Sequence, residues 1–191
     1  MEHKGTVTLE TPRLWLRRLC PEDAEAAYRN WTADAQVTRF LTWKPHESLE
    51  ATRRLFADWC ARYADPMFYQ WGIVPKLLGE PVGSISVVRY LKEGSCAELG
   101  WCIGRDWWGQ GITVEAVAAV LRYLFWTVGM PEVGACHDVN NPNSGRVMQK
   151  CGLHYRMTLS GQGTNNLGIC DLARYSLTLR EYDTYKLLGR G

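Results

Sequence analysis

The stretch AELGWCIGRDWWGQGITVEA, residues 97–116, changes character twice. Ala97 to Ile103 reads as a strand. Trp107 and Trp108 then run into Gly109 and Gly111. From Thr113 onward apolar residues recur at 114, 117, 118, 120, 121, 124, 125 and 128, one broad helical face closed by Gly129 and Pro131. A strand that passes through Gly-x-Gly into a helix makes an anion site, because the first amides of a helix have no partner within it and its dipole is positive there. Glycine at 109 and 111 lets a phosphate approach the backbone and takes positive φ at little cost. The same arrangement also serves as a plain tight connection, so the motif alone leaves both readings open. Two nucleotide motifs are excluded. The pattern GxxxxGK[ST] is absent, and GxGxxG fails at Val114. The loop also follows antiparallel strands in mid-chain, where a dinucleotide fold expects an early parallel unit.

Working upstream, FYQWGIV (68–74), VGSISVVRY (82–90) and AELGWCI (97–103) are separated by the short turns KLLGEP and KEGS, which predicts an antiparallel meander. PRLWLRRL predicts a first strand. CPEDAEAAYRNWT predicts a helix, with Pro21 in its first turn and Glu22, Asp23 and Glu25 complementing the dipole. Ser48 is the expected N-cap of a second helix carrying Leu49, Leu55, Phe56, Trp59 and Tyr63. Downstream, EVGACHDV reads as a strand and NPNSGRVMQKCG as a turn and short helix stopping at Gly152. SGQGTNNLG reads as a hairpin-like loop, CDLARYSLTL as a final strand, and REYDTYKLLGRG as a fraying tail. No repeat or low-complexity linker divides the chain. The expectation is one α/β domain over residues 1–191, with a core at about 9–182 and a flexible tail over 183–191.

Composition narrows the function classes. Hydrophobic residues make up 46% and charged residues 22%, and the formal net charge is +2. That balance suits a globular core and argues against nucleic acid as the main partner, since phosphate backbones demand a clear basic excess. Seven scattered cysteines without a CxxC pair, and four histidines without ligand spacing, fit reduced thiols in a cytoplasmic protein and no metal site. The N-terminus lacks the apolar core of a secretory signal. The greasiest stretch, Val114 to Val128, is broken by Glu115 and Arg122, so no membrane span is expected.

Taken together, these segments resemble the GNAT-fold N-acetyltransferases, in the RimJ/RimL-like branch that acetylates ribosomal-protein N-termini. ETPRLWLRRL and AQVTRFLTW resemble that family's N-terminal strand and helical region. AELGWCIGRDWWGQGITVEA resembles its acetyl-CoA strand and loop, NNPNSGRVMQKCGL its Asn-x-x-Ser element, and YSLTLREY its closing strand. The resemblance implies a mixed, mostly antiparallel central sheet, splayed at the acetyl-CoA site and flanked by helices. It implies acetyl-CoA as acetyl donor, with Leu99, Trp101, Cys102 and Ile103 beside its pantetheine arm. The amides of Gly109, Gln110, Gly111, Ile112, Thr113 and Val114 would receive the pyrophosphate. Trp108 stands where related loops carry Gln or Arg, and Thr113 replaces a small residue. Thr113 either adds a hydroxyl to a phosphate or caps the helix. A homodimer is the assembly the resemblance suggests.

Acetyl transfer needs a neutral amine, a close carbonyl, a stabilised oxyanion and a proton for the leaving thiolate. An α-amine with a reference pKa near 8 is roughly one-tenth neutral at pH 7, whereas a lysine amine is neutral only about four parts in ten thousand. A peptide or protein N-terminus therefore asks little of a base. Glu98, on the proposed cofactor strand, is the candidate base, with ion pairing or anchoring of the amine as the alternative. By the resemblance, Asn141 bonds the cofactor or orders the turn, and Ser144 either protonates the thiolate or bonds it. The alternative for Ser144, as a hydroxyl in the first turn of a helix, is simply to satisfy amides there. Many relatives place a tyrosine where this chain has Met148, which donates nothing. Arg146 either contacts a cofactor phosphate or faces solvent. A covalent route through Cys136 or Cys151 is discounted, because His137 has no evident third partner. Trp31, Trp43 and Trp71 are candidates to line the acceptor cleft. Two other readings remain: a small amine acceptor such as an aminoglycoside, polyamine or amino-acid-like toxin, or a non-catalytic acyl-CoA-binding module.

Overall fold

The computed structural model describes residues 1–187. Eight strands form one sheet: β1 (Leu9–Glu10), β2 (Leu14–Arg17), β3 (Gln70–Pro75), β4 (Gly83–Leu91), β5 (Cys96–Ile103), β6 (Glu132–Asp138), β7 (His154–Asn165) and β8 (Gly168–Thr178). Their order is β1-β2-β3-β4-β5-β6-β8-β7. Every pairing is antiparallel except β5 with β6. That parallel pair runs only from Cys96↔Glu132 to Leu99↔Ala135. Beyond it Gly100 to Ile103 pair with β4, while Cys136 to Asp138 pair with β8. The two strands therefore part company halfway along, and one edge of β5 is left free of a strand partner from Gly100 onward. The expected mixed sheet, splayed between β5 and β6 and flanked by helices, is what the chain forms.

Helices cover both faces, and the apolar spacing of each sequence segment explains why. Pro21–Asp23, α1 (Ala24–Ala27) and the wide turn Tyr28–Thr32 form one helical run, followed by α2 (Ala35–Thr38) and α3 (Leu49–Arg62). Ser48 caps α3 as expected, its hydroxyl accepting from the Ala51 amide at 3.2 Å. On this face Leu19, Ala24, Ala27, Trp31, Val37 and Phe56 form a core. The opposite face is covered by α4 (Ile112–Arg122), continued by a wide turn over Tyr123–Val128, together with α5 (Pro142–Lys150) and α6 (Leu179–Leu187). Val117, Val120, Leu121, Leu124 and Phe125 pack there against Trp71, Ile73, Ile85 and Leu99. Gly129 ends the α4 run in the left-handed conformation, as the sequence predicts.

Two expectations are corrected. SGQGTN is not loop but the second half of β7. Only Asn166 and Leu167 turn, and the hairpin strands reach back to His154. His154 to Leu159 carries mostly exposed residues, so it lacks the buried alternation that marks a strand. The closing segment is not a fraying tail through residue 187. It forms α6, anchored by Tyr182, which is buried and stacked on Phe125 at 4.8 Å between ring centroids. The rest of the expected tail, 188–191, lies outside the described residues.

Candidate functional site

The loop after β5 is shaped by its two glycines. Gly109 and Gly111 have φ of +74° and +76°, a region that side-chain-bearing residues rarely enter. Gly111 is the N-cap of α4 and offers no side-chain cap, so the first amides of this helix have no side-chain acceptor among the described residues. Thr113 lies inside the first turn, and it does not cap the helix: the capping position is Gly111. Trp108 is half exposed, and its indole N–H donates to the Ile103 carbonyl at 2.8 Å. It thereby folds back over the end of β5 instead of presenting a donor to a ligand. Gln110 donates its amide to the Asp106 carbonyl at 2.6 Å.

A residue that the sequence analysis gave no role in the site holds this loop. The Arg13 guanidinium donates to the Gln110 carbonyl at 3.0 Å and to Glu115 Oε2 at 2.6 Å. The Arg13 amide and the Thr11 hydroxyl both donate to Glu115 Oε1, at 2.9 and 2.6 Å. Burial works against the charged form of Glu115, but these bonds from Thr11 and Arg13 hold its carboxyl below the usual range. Glu115 is thereby neutralised beside a helix start that would receive another anion. The sequence signal for Arg13 is faint, because its partner lies 102 residues away.

At the splay itself, a cavity of ≈ 700 Å³ opens between the sheet and the α1–α3 face. Glu98, Leu99, Trp101, Cys102, Asn141, Ser144 and Trp43 all border it. The expected residues of β5, the Asn-x-x-Ser element and one aromatic are thus brought together. Asn141 precedes α5, and Ser144 lies in the first turn. Neither side chain makes a hydrogen bond to protein among the described residues, which leaves both free for a ligand. Gly145 permits this seat. A Cβ there would come within 2.6 Å of His137 Nε2, so a side chain at 145 would have to displace the His137 ring that lies between α5 and β6. Met148 is fully buried under the helix.

Glu98 is 5% exposed, and its Oε1 accepts from Arg89 at 2.7 Å. The Cys136 thiol approaches Oε2 at 3.7 Å. Of the three roles open to Glu98, ion pairing is therefore present in the fold. Burial, then the Glu98 charge, push the Cys136 thiol up to about 11, and burial pushes Cys151 up to about 12. Neither is a thiolate at neutral pH, which agrees with discounting a covalent route. Among the described residues, no group of three or more His, Cys, Asp or Glu side chains is placed to hold a metal ion.

The loop residues Trp108 to Val114 lie outside the cavity lining, and three further sequence expectations separate from this cluster. Trp71 does not line the cleft. It is fully buried on the other face of the sheet, its indole donating to the Val7 carbonyl at 2.7 Å and its ring stacked on Tyr69. The reason is the strand period: Gln70 and Gly72 face the cavity side, so Trp71 points the other way. Arg146 is exposed on α5 and reaches only Asn143, at 3.3 Å. Ile103 is buried at the end of β5, outside the cavity lining. Trp31, in contrast, does border the cavity.

Sequence reasoning missed several lining groups. Gln70 is the only polar side chain in FYQWGIV, an oddity visible in the sequence. His46 bonds Thr52 at 2.7 Å, and Thr52 bonds Thr32 at 3.0 Å; burial lowers the His46 pKa. Asn166, at the β7–β8 turn, donates to the carbonyls of Thr38 and Trp43 at 2.9 and 2.8 Å. That clasp ties the hairpin across to the segment that roofs the cavity.

A family model described as an acetyltransferase (GNAT) domain matches residues 13–154. The Bacillus subtilis protein YoaA, by name an uncharacterized N-acetyltransferase, is 31% identical over 144 residues, spanning 75% of this chain and 81% of its own length. YdaF of the same organism, whose name provisionally assigns it ribosomal N-acetyltransferase activity, is 28% identical over 175 residues, 90% of this chain and 94% of that one. Among solved structures, Mycobacterium smegmatis RimJ in complex with CoA-disulfide superposes with a TM-score of 0.84 at 18% identity, covering 100% of this chain and 98% of that one.

Proposed function

The chain belongs to the GNAT acetyltransferase family, and on that premise we propose that it moves the acetyl group of acetyl-CoA directly onto the α-amine of a peptide or protein N-terminus. The observation that carries the proposal is the splay between β5 and β6 beside a polar and aromatic cavity, with β5 followed in the chain by the bare N-terminus of α4. The amides of Gly109 to Val114 bind the pyrophosphate, with no side-chain charge from Trp108. Backbone groups of Gly100 to Ile103, free of β6, hold the pantetheine arm. The names of YdaF and RimJ support the ribosomal-protein branch.

In this reading the neutral fraction of the α-amine attacks the acetyl carbonyl carbon. The tetrahedral adduct collapses, the C–S bond breaks, and the sulfur leaves with the bonding pair. Ser144 donates the proton that the sulfur takes and recovers one from water. Glu98, held by Arg89, accepts the proton shed by the new amide nitrogen through a water. Asn141 orders the turn and bonds the pantetheine.

A polycationic acceptor is less well supported. Two carboxylates border the cavity, and both are engaged: Glu98 by Arg89, and Asp138 by Asn140 at 2.8 Å and Asn165 at 2.6 Å. The test is thiol release from acetyl-CoA against peptides, polyamines and aminoglycosides. Acceptor-dependent release with a peptide is the expected result. Tight cofactor binding without turnover of any amine would replace this reading by an acyl-CoA-binding module.

A further inference from the structure

The cavity has two unlike surfaces. Its floor is the sheet, where strand register aligns Gln70 of β3 with Ser86 of β4 and Ser86 with Gly100 of β5. The next row is Gly72, Ser84 and Cys102. Small residues beside the polar ones give this floor its depth. The roof is aromatic, built from Phe40, Trp43 and Trp59, with His46 tilted against Trp43 at 5.4 Å.

Gln70 is 6% exposed, and its main chain is fully engaged. Its amide donates to the Thr6 hydroxyl at 2.9 Å, and its carbonyl accepts from the Tyr63 hydroxyl at 3.0 Å. Its side chain is not: Nε2 is buried and has no hydrogen-bond partner among the described residues. A buried amide donor without an acceptor destabilises a fold, so such groups call for a functional account. Gln70 is one of the residues that border the cavity.

We propose that the Gln70 carboxamide reads the first peptide group of the acceptor while the aromatic roof holds the acceptor's first side chain, so that the preferred acceptor is a peptide beginning with a large apolar residue. The inference rests on the acetyl-transfer reading above and narrows it. A carboxamide is the side-chain counterpart of a peptide unit, and its N–H donates to the carbonyl of the acceptor's first residue. Binding satisfies the orphaned donor, whereas an amine lacking that carbonyl leaves it unpaired. Glu98 is already paired with the Arg89 charge, and the indole faces favour an apolar or aromatic body.

The test compares kcat/KM for matched short peptides beginning with Phe, Leu, Ala or Ser, and for 2-phenylethylamine, which has the ring and the amine but no peptide group. The Phe and Leu peptides should exceed Ala and Ser by about tenfold or more. Gln70→Leu should lower kcat/KM for the Phe peptide by about tenfold. It should leave 2-phenylethylamine and the acetyl-CoA Kd unchanged, and raise Tm because the orphaned donor is gone. Gln70→Met, of similar length, serves if the leucine variant fails to fold. An equal loss on peptide and phenylethylamine would overturn the assignment, making Gln70 structural. A preference for Ala or Ser peptides would overturn the role of the roof. Turnover of polyamines alone would overturn the acceptor class and leave acetyl transfer standing. Acetyl-CoA binding without turnover of any amine would instead remove the underlying function.

Discussion

The donor half of the site and the acceptor half are built by different means. The donor half is contiguous: β5, the glycine loop, α4, β6 and α5 follow one another from Cys96 to Lys150. In the proposed reading it recognises with backbone, through helix-terminal amides and the freed edge of β5. The acceptor half is assembled from segments far apart in the chain, including Trp31, Trp43, Trp59, Gln70, Ser86 and Asn165. It recognises with side chains. Backbone recognition tolerates changes of residue type so long as φ and the splay persist, which is why Trp108 and Thr113 depart from the usual loop pattern without removing an amide. Side-chain recognition changes with each substitution, so the acceptor half is where specificity resides.

The sharpest way to break this division is to exchange tryptophans. Trp71→Ala should lose about 3–5 kcal/mol of stability, read by denaturant melts, because Trp71 belongs to the core and not to the cleft. Under conditions where that variant stays folded, its acceptor KM should be unchanged. Trp43→Ala should show the reverse, raising acceptor KM severalfold while altering stability little, since Trp43 forms part of the roof. If both variants behave alike, the division between core and roof is wrong.

Next in size is Gly111→Asp. The position has φ of +76°, and a carboxylate there would sit beside the amides proposed to receive the pyrophosphate. Acetyl-CoA affinity should fall about a hundredfold or more in calorimetry, with the fold retained by circular dichroism. An unchanged affinity would remove the phosphate role from the loop. Ser144→Ala should lower kcat about tenfold or more at constant acetyl-CoA Kd. A kcat equal to wild type would mean that water alone protonates the thiolate.

The smallest effect lies outside both halves. Arg156 bonds both oxygens of Glu181 at 2.8 Å, tying α6 to the β7–β8 hairpin. Burial opposes the charged form, but Arg156 and the Thr178 amide and hydroxyl hold the Glu181 carboxyl down at about 2, against 4.5 for the free group. A depressed folded pKa contributes stability that is fully present above the unfolded pKa and lost as pH falls through the folded one. The tie should therefore weaken between about pH 4.5 and pH 2, and Glu181→Gln should flatten the Tm-versus-pH curve in that window. Because the pair is about one-third exposed, solvent screening limits it to about 1 kcal/mol or less.

Much of the fold was legible because its signals are local. The meander, the Gly-x-Gly loop, α4 with its Gly129 stop, and the Ser48 cap each follow from residues within a few positions of one another. β7 was not legible, since its outer half alternates no buried residues, and α6 hid behind a polar sequence anchored by Tyr182 alone among its buried residues. Within the site, Leu99, Trp101, Cys102, Asn141 and Ser144 could be anticipated from motif order, whereas Arg13, Asn166 and His46 could not. Their partners lie up to 128 residues away, and nothing in a local pattern encodes which pairs will meet.

By itself, then, the sequence determined the donor half: strand, glycines, helix and Asn-x-x-Ser element follow in order, and backbone geometry there depends on local residue type. Only the tertiary structure decided the acceptor half. The two-residue period of β3 turned Trp71 into the core and Gln70 into the cavity, and the α1–α3 segment laid an aromatic roof over the Gln70 side. Which side chains face a shared space is set by strand register and helix packing across the whole chain, and both are non-local.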